Sequence, residues 1–261
     1  MATITFIGAG HVAWHLAQAL EDAGHSILEI YSRNSRHAQQ LAEHLYDAQP
    51  VHSLNFADSH ADVFIIAVPD DAVPSVVETA VFPVGAIICH TSGTLPLAAF
   101  KTLPNCGVFY PLQTFSKNRP VMVNRVPFCL EASNETTENI LVAIAQSISQ
   151  TVYLVSSEER KILHIGAVFA CNFTNHLLVL ARLIVEKEHL EFDLLKPLIE
   201  ETFAKALATE DPATVQTGPA IRGDAQTIAS HLKYLKANPV HQKIYKLLTE
   251  SIRKTSGTFE N

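Results

Sequence analysis

The run Thr3-Ile4-Thr5-Phe6-Ile7, β-branched and aromatic, passes directly into Gly8-Ala9-Gly10-His11-Val12-Ala13, and an apolar pattern at Val12, Leu16, Ala19 and Leu20 follows. This order predicts strand, tight turn and helix. Each small residue has its own reason: Gly8 makes the turn, Gly10 lets the backbone approach a pyrophosphate, and Ala13 keeps helix and strand close. A phosphate there would meet a helix N-terminus, whose free N–H groups and dipole favour negative charge. Gly8, Gly10, His11 and Val12 are the first candidate dinucleotide contacts.

Gly24-His25 ends that helix, Ser26 to Tyr31 reads as a second strand, and a helical stretch holding Ala38, Leu41 and Leu45 follows. The end of the second strand is where a carboxylate would bind the ribose 2′-hydroxyl of NAD. The sequence there is Ser32-Arg33-Asn34-Ser35-Arg36 instead, whose guanidinium and hydroxyl donors suit a 2′-phosphate. NADP(H) is therefore expected in preference to NAD(H), held by Ser32, Arg33 and Asn34; an ordinary solvated basic turn is the alternative reading.

Asp62 to Val68 is a nearly continuous apolar run, as in a central parallel strand covered on both faces, and Pro69-Asp70-Asp71 then opens a loop. Val84 to His90 repeats the pattern and ends in Thr91-Ser92-Gly93, while Cys106 to Tyr110 is closed by Pro111. In an open parallel sheet the carboxyl ends of the strands form the ligand crevice. Val68, Pro69 and Ser92 thus join the cofactor candidates, and His90 and Gln113 become substrate candidates, with Tyr110 and Thr114 chemically weaker. Phe128 to Glu131 and Thr151 to Val155 read as short strands around a helix at 137–149. The predicted fold class is α/β, with a Rossmann doubly wound sheet over 1–156.

From Ser157 helical patterns take over at 158–187, 194–209, 224–235 and 241–254, so residues 157–261 are expected to form an all-helical domain. At about 100° per residue His164, Asn172, Asn175 and His176 would share one polar stripe on a largely apolar helix. His164 is read as a general acid and Asn172 as a substrate-orienting group, with Asn175 beside them; a satisfied core histidine is the competing reading of His164. Asp224 suits the N-cap of the helix it precedes, and Arg222 could grip a substrate carboxylate with a bidentate fork. The charge-mixed run Glu158-Glu159-Arg160-Lys161 reads as a solvated face.

Composition narrows the partners. With 261 residues, 48% hydrophobic, 17% charged and a net charge of -7, the chain suits two compact domains and lacks the basic excess of a nucleic-acid binder. Cys89, Cys106, Cys129 and Cys171 are widely spaced, which points to reduced thiols and no metal site. Gly8, Gly10, His11 and His15 interrupt the apolar run from Ile4 to Leu20, so neither a signal peptide nor a membrane span is expected, and the cytoplasm is the expected compartment.

The glycine turn, Ile65-Ile66-Ala67-Val68-Pro69-Asp70, His90-Thr91-Ser92-Gly93, Tyr110-Pro111-Leu112-Gln113-Thr114-Phe115 and Thr217-Gly218-Pro219-Ala220-Ile221-Arg222-Gly223-Asp224 together resemble a family of Rossmann-like NADP oxidoreductases. Their C-terminal helical domain has no assigned function. More distantly, the layout is similar to pyrroline-5-carboxylate reductase, prephenate dehydrogenase and 6-phosphogluconate dehydrogenase. The resemblance implies a 6-phosphogluconate-dehydrogenase-like helical C-terminal domain, a homodimer formed through it, and hydride transfer to or from a small polar substrate, carboxylate-bearing if Arg222 holds it, in an interdomain cleft. It departs in two places: if Asn172 is the catalytic asparagine of the 6-phosphogluconate group, their lysine is replaced by Val168, and Tyr110 precedes Pro111 where prephenate dehydrogenases carry histidine. A non-catalytic NADP(H)-binding sensor or scaffold is the alternative function.

Overall fold

In the computed structural model, which describes residues 1–101 and 103–257, strand and helix alternate through the first half of the chain. The first winding comprises β1 (Thr3–Ile7), α1 (His11–Asp22), β2 (Ser26–Tyr31), α2 (Ser35–Ala42) and β3 (Gln49–Val51). The second comprises β4 (Val63–Ile66), α3 (Val73–Thr79), β5 (Ile87–His90), β6 (Cys106–Pro111), β7 (Phe128–Ala132), α4 (Glu135–Ile148) and β8 (Val152–Leu154). They form one eight-stranded sheet in the order β3-β2-β1-β4-β5-β6-β7-β8. All neighbours are parallel except β6 and β7, which run antiparallel. Strand order reverses between β1 and β4, which places the ligand crevice of such a sheet at their carboxyl ends.

The pleat sorts the core into two layers. Ile4, Phe6, Val63, Ile65, Ile87 and Cys89 pack on one face with Ala13, Leu16 and Leu20 of α1 and Leu141 and Ile144 of α4. Ile7, Phe64, Ile66 and Ile88 point to the other face, with Val73, Val76 and Phe100. Alternation of this kind within continuous apolar runs is what burial on both faces demands.

Some elements differ from the sequence pattern. The apolar runs at 62–68 and 84–90 yield four-residue strands, because Ala67-Val68-Pro69 and Val84-Gly85 turn away from the sheet. Gln49-Pro50-Val51 pairs with β2 as an edge strand, a position in a sheet that tolerates proline.

By internal contacts the chain divides at Asn172 and Phe173, into units 1–172 and 173–261. Helix α5 (Ser157–Ala167), expected to begin the helical domain, belongs by that measure with the sheet. A capping box starts it: the Ser156 hydroxyl accepts from the Glu159 N–H, and the Glu159 carboxylate accepts from the Ser156 N–H. A π-helical segment at Val168–Phe173 then leads into α6 (Thr174–Lys187). This wider turn breaks the constant step of 100° per residue, so the expected stripe through His164, Asn172, Asn175 and His176 does not follow from spacing.

The second unit contains α6, α7 (Lys196–Leu207), α8 (Ala225–Tyr234) and α9 (Pro239–Gly257). Asp224 caps α8 as expected, accepting from the Thr227 N–H at 3.0 Å, and these bonds hold its carboxyl below the usual range. Among the described residues, Ser157–Lys187 is the one helix whose length and composition would let it cross a membrane, with a mean hydropathy of 1.6 over its most apolar stretch. None of that stretch is buried within the chain.

Candidate dinucleotide and proton-transfer site

Gly8 makes the tight turn expected from the sequence. Gly8 has φ +115°, and a Cβ there would lie 2.2 Å from the Ala67 carbonyl oxygen, so only glycine fits. A Cβ at Gly10 would meet nothing within 4 Å. Gly10 N-caps α1 without a side-chain hydrogen bond, and no acidic side chain occupies the first turn of that helix. The N–H groups at this helix end are left for an anion.

The turn opens into a cavity of about 670 Å³ lined by Gly8, Gly10, Ser32, Arg33, Asn34, His37, Val68, Pro69 and Asp71, among others. A cavity of similar size, about 680 Å³, lies beside Trp14, His15 and Lys117 on another face of α1, but it lacks the turn. The first cavity therefore fits a dinucleotide: a backbone cradle lies at Gly8 to Gly10 and a guanidinium at Arg33. Asn34 also caps α2, accepting from the Arg36 N–H at 3.1 Å. The side chains of His11 and His15 are engaged elsewhere. The His11 Nδ1–H donates to the Phe115 carbonyl at 3.0 Å and the His15 Nε2–H to the Ser116 carbonyl at 2.9 Å, fastening the loop after β6 onto α1. Val12 packs into the core.

Two expected ligand contacts are internal braces. His90 is 0% exposed, its ring stacks on Phe100 at 5.1 Å, and its Nδ1 accepts from the Ser92 N–H, so it has no surface to offer a substrate. Burial, with Arg160 nearby, pushes its pKa down to about 4. The Ser92 hydroxyl accepts from the N–H groups of Thr94 and Leu95, and it caps the turn instead of lining the cavity. Gln113 is exposed and its side chain accepts from its neighbour's N–H. Asn172, Asn175 and Arg222 are exposed.

His164 has a partner. Its Nδ1 lies 3.0 Å from the Tyr110 hydroxyl, at the carboxyl end of β6. What brings it there is Arg160, one helical turn earlier. Expected on a solvated face, Arg160 is completely buried, paired with Glu131 of β7 and donating to the Leu95 carbonyl. Its interior position was invisible because Glu131 is distant in sequence and the surrounding charges read as solvent-facing. Tyr110 itself is buried, which pushes its hydroxyl up to about 12. Among the described residues no cluster of His, Cys, Asp or Glu could hold a metal ion.

Comparison with known proteins places the chain in a family. Residues 3–88 match the family described as NADP oxidoreductase, coenzyme F420-dependent, and residues 126–252 match a domain of unknown function, DUF2520. A solved structure from Bacteroides fragilis, provisionally named an NADP oxidoreductase, shares 40% identity over 97% of this chain and 98% of its own, with a TM-score of 0.87. The chain belongs to this NADP oxidoreductase family. An imine reductase from Myxococcus stipitatus, solved with NADP+, shares the fold at 15% identity, covering 98% of this chain and 94% of that one (TM-score 0.66). A Plasmodium falciparum pyrroline carboxylate reductase with NADP bound does so at 16% identity, covering 100% and 98% (TM-score 0.58). No curated protein sequence matches the chain. The chain is an oxidoreductase of the dehydrogenase and reductase kind, with a nicotinamide-dinucleotide fold.

Proposed function

We propose that this protein is an NADP(H)-preferring oxidoreductase acting on a small polar substrate. The observation that carries the reading is one cavity that combines the Gly8 to Gly10 cradle with Arg33 and Ser32. Gly10 and the uncapped start of α1 would hold the pyrophosphate, and Ser32, Arg33 and Asn34 the 2′-phosphate. When bound, the reduced nicotinamide supplies a hydride with its electron pair. The proton is drawn from His164, Asn172 orients the substrate, and Asn175 and Arg222 contribute polar contacts, Arg222 favouring a carboxylate. The NADP-bound imine and pyrroline carboxylate reductases of the same fold favour carbonyl-like or imine-like acceptors.

The protein would act as a homodimer through its helical half. Leu177, Val179 and Leu183 are exposed on α6, an apolar surface of the kind a second copy covers. A lipid occupant is disfavoured by Arg160, which fixes the preceding helix α5 to β7. The cysteines are free, and Cys89, Cys106 and Cys129 are buried, in keeping with the reducing cytoplasm.

The test combines NADPH binding with an absorbance screen of cyclic imines, 2-keto acids and, with NADP+, hydroxy acids. Turnover of at least one class is expected. Tight NADPH binding with no turnover across the panel would instead establish the sensor reading, which the missing lysine at Val168 favours.

A further inference from the structure

Three elements of the sheet unit converge on one point. Tyr110 lies near the carboxyl end of β6, His164 lies on α5, and Gly93 belongs to the turn after β5. The tyrosine hydroxyl and the His164 Nδ1 are 3.0 Å apart, and their rings meet edge to face at 67°. A Cβ at Gly93 would lie 2.6 Å from the His164 Nδ1 and 2.8 Å from the Tyr110 Cζ, so the glycine is what allows the turn to close on the pair. Asp70, accepting from the Thr94 hydroxyl, ties that turn to the carboxyl end of β4. The pair is thereby fixed beside the strand ends where the reacting part of a dinucleotide lies in this fold.

We propose that Tyr110 is the group that touches the substrate and gives it the proton, and that His164 reloads Tyr110. This rests on the oxidoreductase reading above. As the substrate carbon gains the hydride, negative charge develops on its oxygen or nitrogen. The Tyr110 O–H bond breaks as a new O–H or N–H bond forms there. In the same step the Nδ1–H bond of the His164 imidazolium breaks and restores the tyrosine hydroxyl. The half-exposed imidazole recovers one proton from water after product leaves, and the only electrons transferred are those of the hydride.

The coupling has a physical reason. With its hydroxyl pushed up to about 12, chiefly by burial, Tyr110 does not accumulate as tyrosinate near neutrality, so its proton leaves only as another arrives. The other ionisable groups acting on it are Cys129 from β7, Arg160 from α5, Asp70 from the loop after β4 and Cys171 from the π segment. Of these only Arg160 favours the anion, and it is engaged with Glu131.

The experiment compares wild type, Tyr110→Phe and His164→Ala in steady-state turnover with NADPH and the best acceptor from the panel. It also records the ring nitrogens of His164 by 15N NMR without cofactor. Tyr110→Phe should lose about 100-fold or more in kcat while the NADPH KM stays within about twofold, the mark of a group acting in the transition state. His164→Ala should lose a similar factor and recover partly with added imidazole. Imidazole should not rescue Tyr110→Phe. In the NMR arm the His164 Nδ1 resonance should move in Tyr110→Phe while those of the other histidines stay. Wild-type kcat in Tyr110→Phe, or an unmoved His164 resonance, overturns the relay and leaves the oxidoreductase reading standing. A wild-type chain that turns over nothing overturns both.

Discussion

His90 illustrates how far a residue's sequence position can mislead about its task. It ends a strand in the ligand crevice, yet its ring is sealed against Phe100 and held neutral by burial. The consequence is a pH-dependent stability with a definite sign. In the unfolded chain an imidazole protonates near its ordinary value of 6.5, whereas in the fold His90 resists protonation down to about 4. The unfolded state therefore binds more protons in that window, and stability falls as pH drops from about 6.5 towards 4, by a total on the order of 3 kcal/mol. Above that range the contribution is complete. Urea denaturation of wild type and His90→Gln at pH 7 and pH 4.5 checks this: the wild type should lose more stability on acidification, and parallel losses would remove His90 as the cause. Gly8 is the opposite case. Its tight turn was legible because glycine in that position has few other uses, while its close approach to Ala67 appears only in the structure. The burial of His90 depends on Phe100, which no local pattern connects to it.

At the scale of elements, α5 shows which parts of a helix can be read locally. Its capping box is a local signal, present in Ser156 and Glu159. The burial of Arg160 is not, because it depends on Glu131 and the Leu95 carbonyl, both far along the chain. Replacing Arg160 with Leu leaves Glu131, itself only 19% exposed, without its cation, and should cost about 3 kcal/mol. The double variant Arg160→Leu with Glu131→Gln should recover part of that loss in thermal or urea unfolding. Equal stability of wild type and Arg160→Leu would show that the buried pair does not hold α5 to the sheet. The π segment at Val168–Phe173 was likewise illegible, since its residues suit an ordinary helix and only the backbone path reveals the extra width. Strands β1, β2 and β6 were legible from β-branched and aromatic runs, while β3 was hidden by its brevity and its proline.

For the whole molecule, two halves of different character follow from one sequence. The sheet is sealed on both faces, whereas the helices after it leave large apolar side chains in the open, among them Leu194, Leu198 and Leu207. Analytical ultracentrifugation at micromolar concentration should give a dimer, and Leu177→Glu with Leu183→Glu should shift it to monomer; a wild-type monomer would contradict the proposed assembly. That helices follow the sheet was legible because hydrophobic periodicity changes after Ser156, but the division by internal contacts at Asn172 and Phe173 was not; nor was the extent of uncovered apolar surface, since periodicity does not tell a buried face from one awaiting a partner. The central claim concerns the cavity at the glycine turn, and it is tested most directly by titrating NADPH and NADH into wild type and Arg33→Ala. Wild type should bind NADPH more tightly than NADH, and Arg33→Ala should weaken NADPH by about tenfold or more, the loss of roughly 1.4 kcal/mol from one charge-assisted contact, while NADH changes little. Equal losses for both nucleotides, or no binding of NADPH to wild type, would contradict the account.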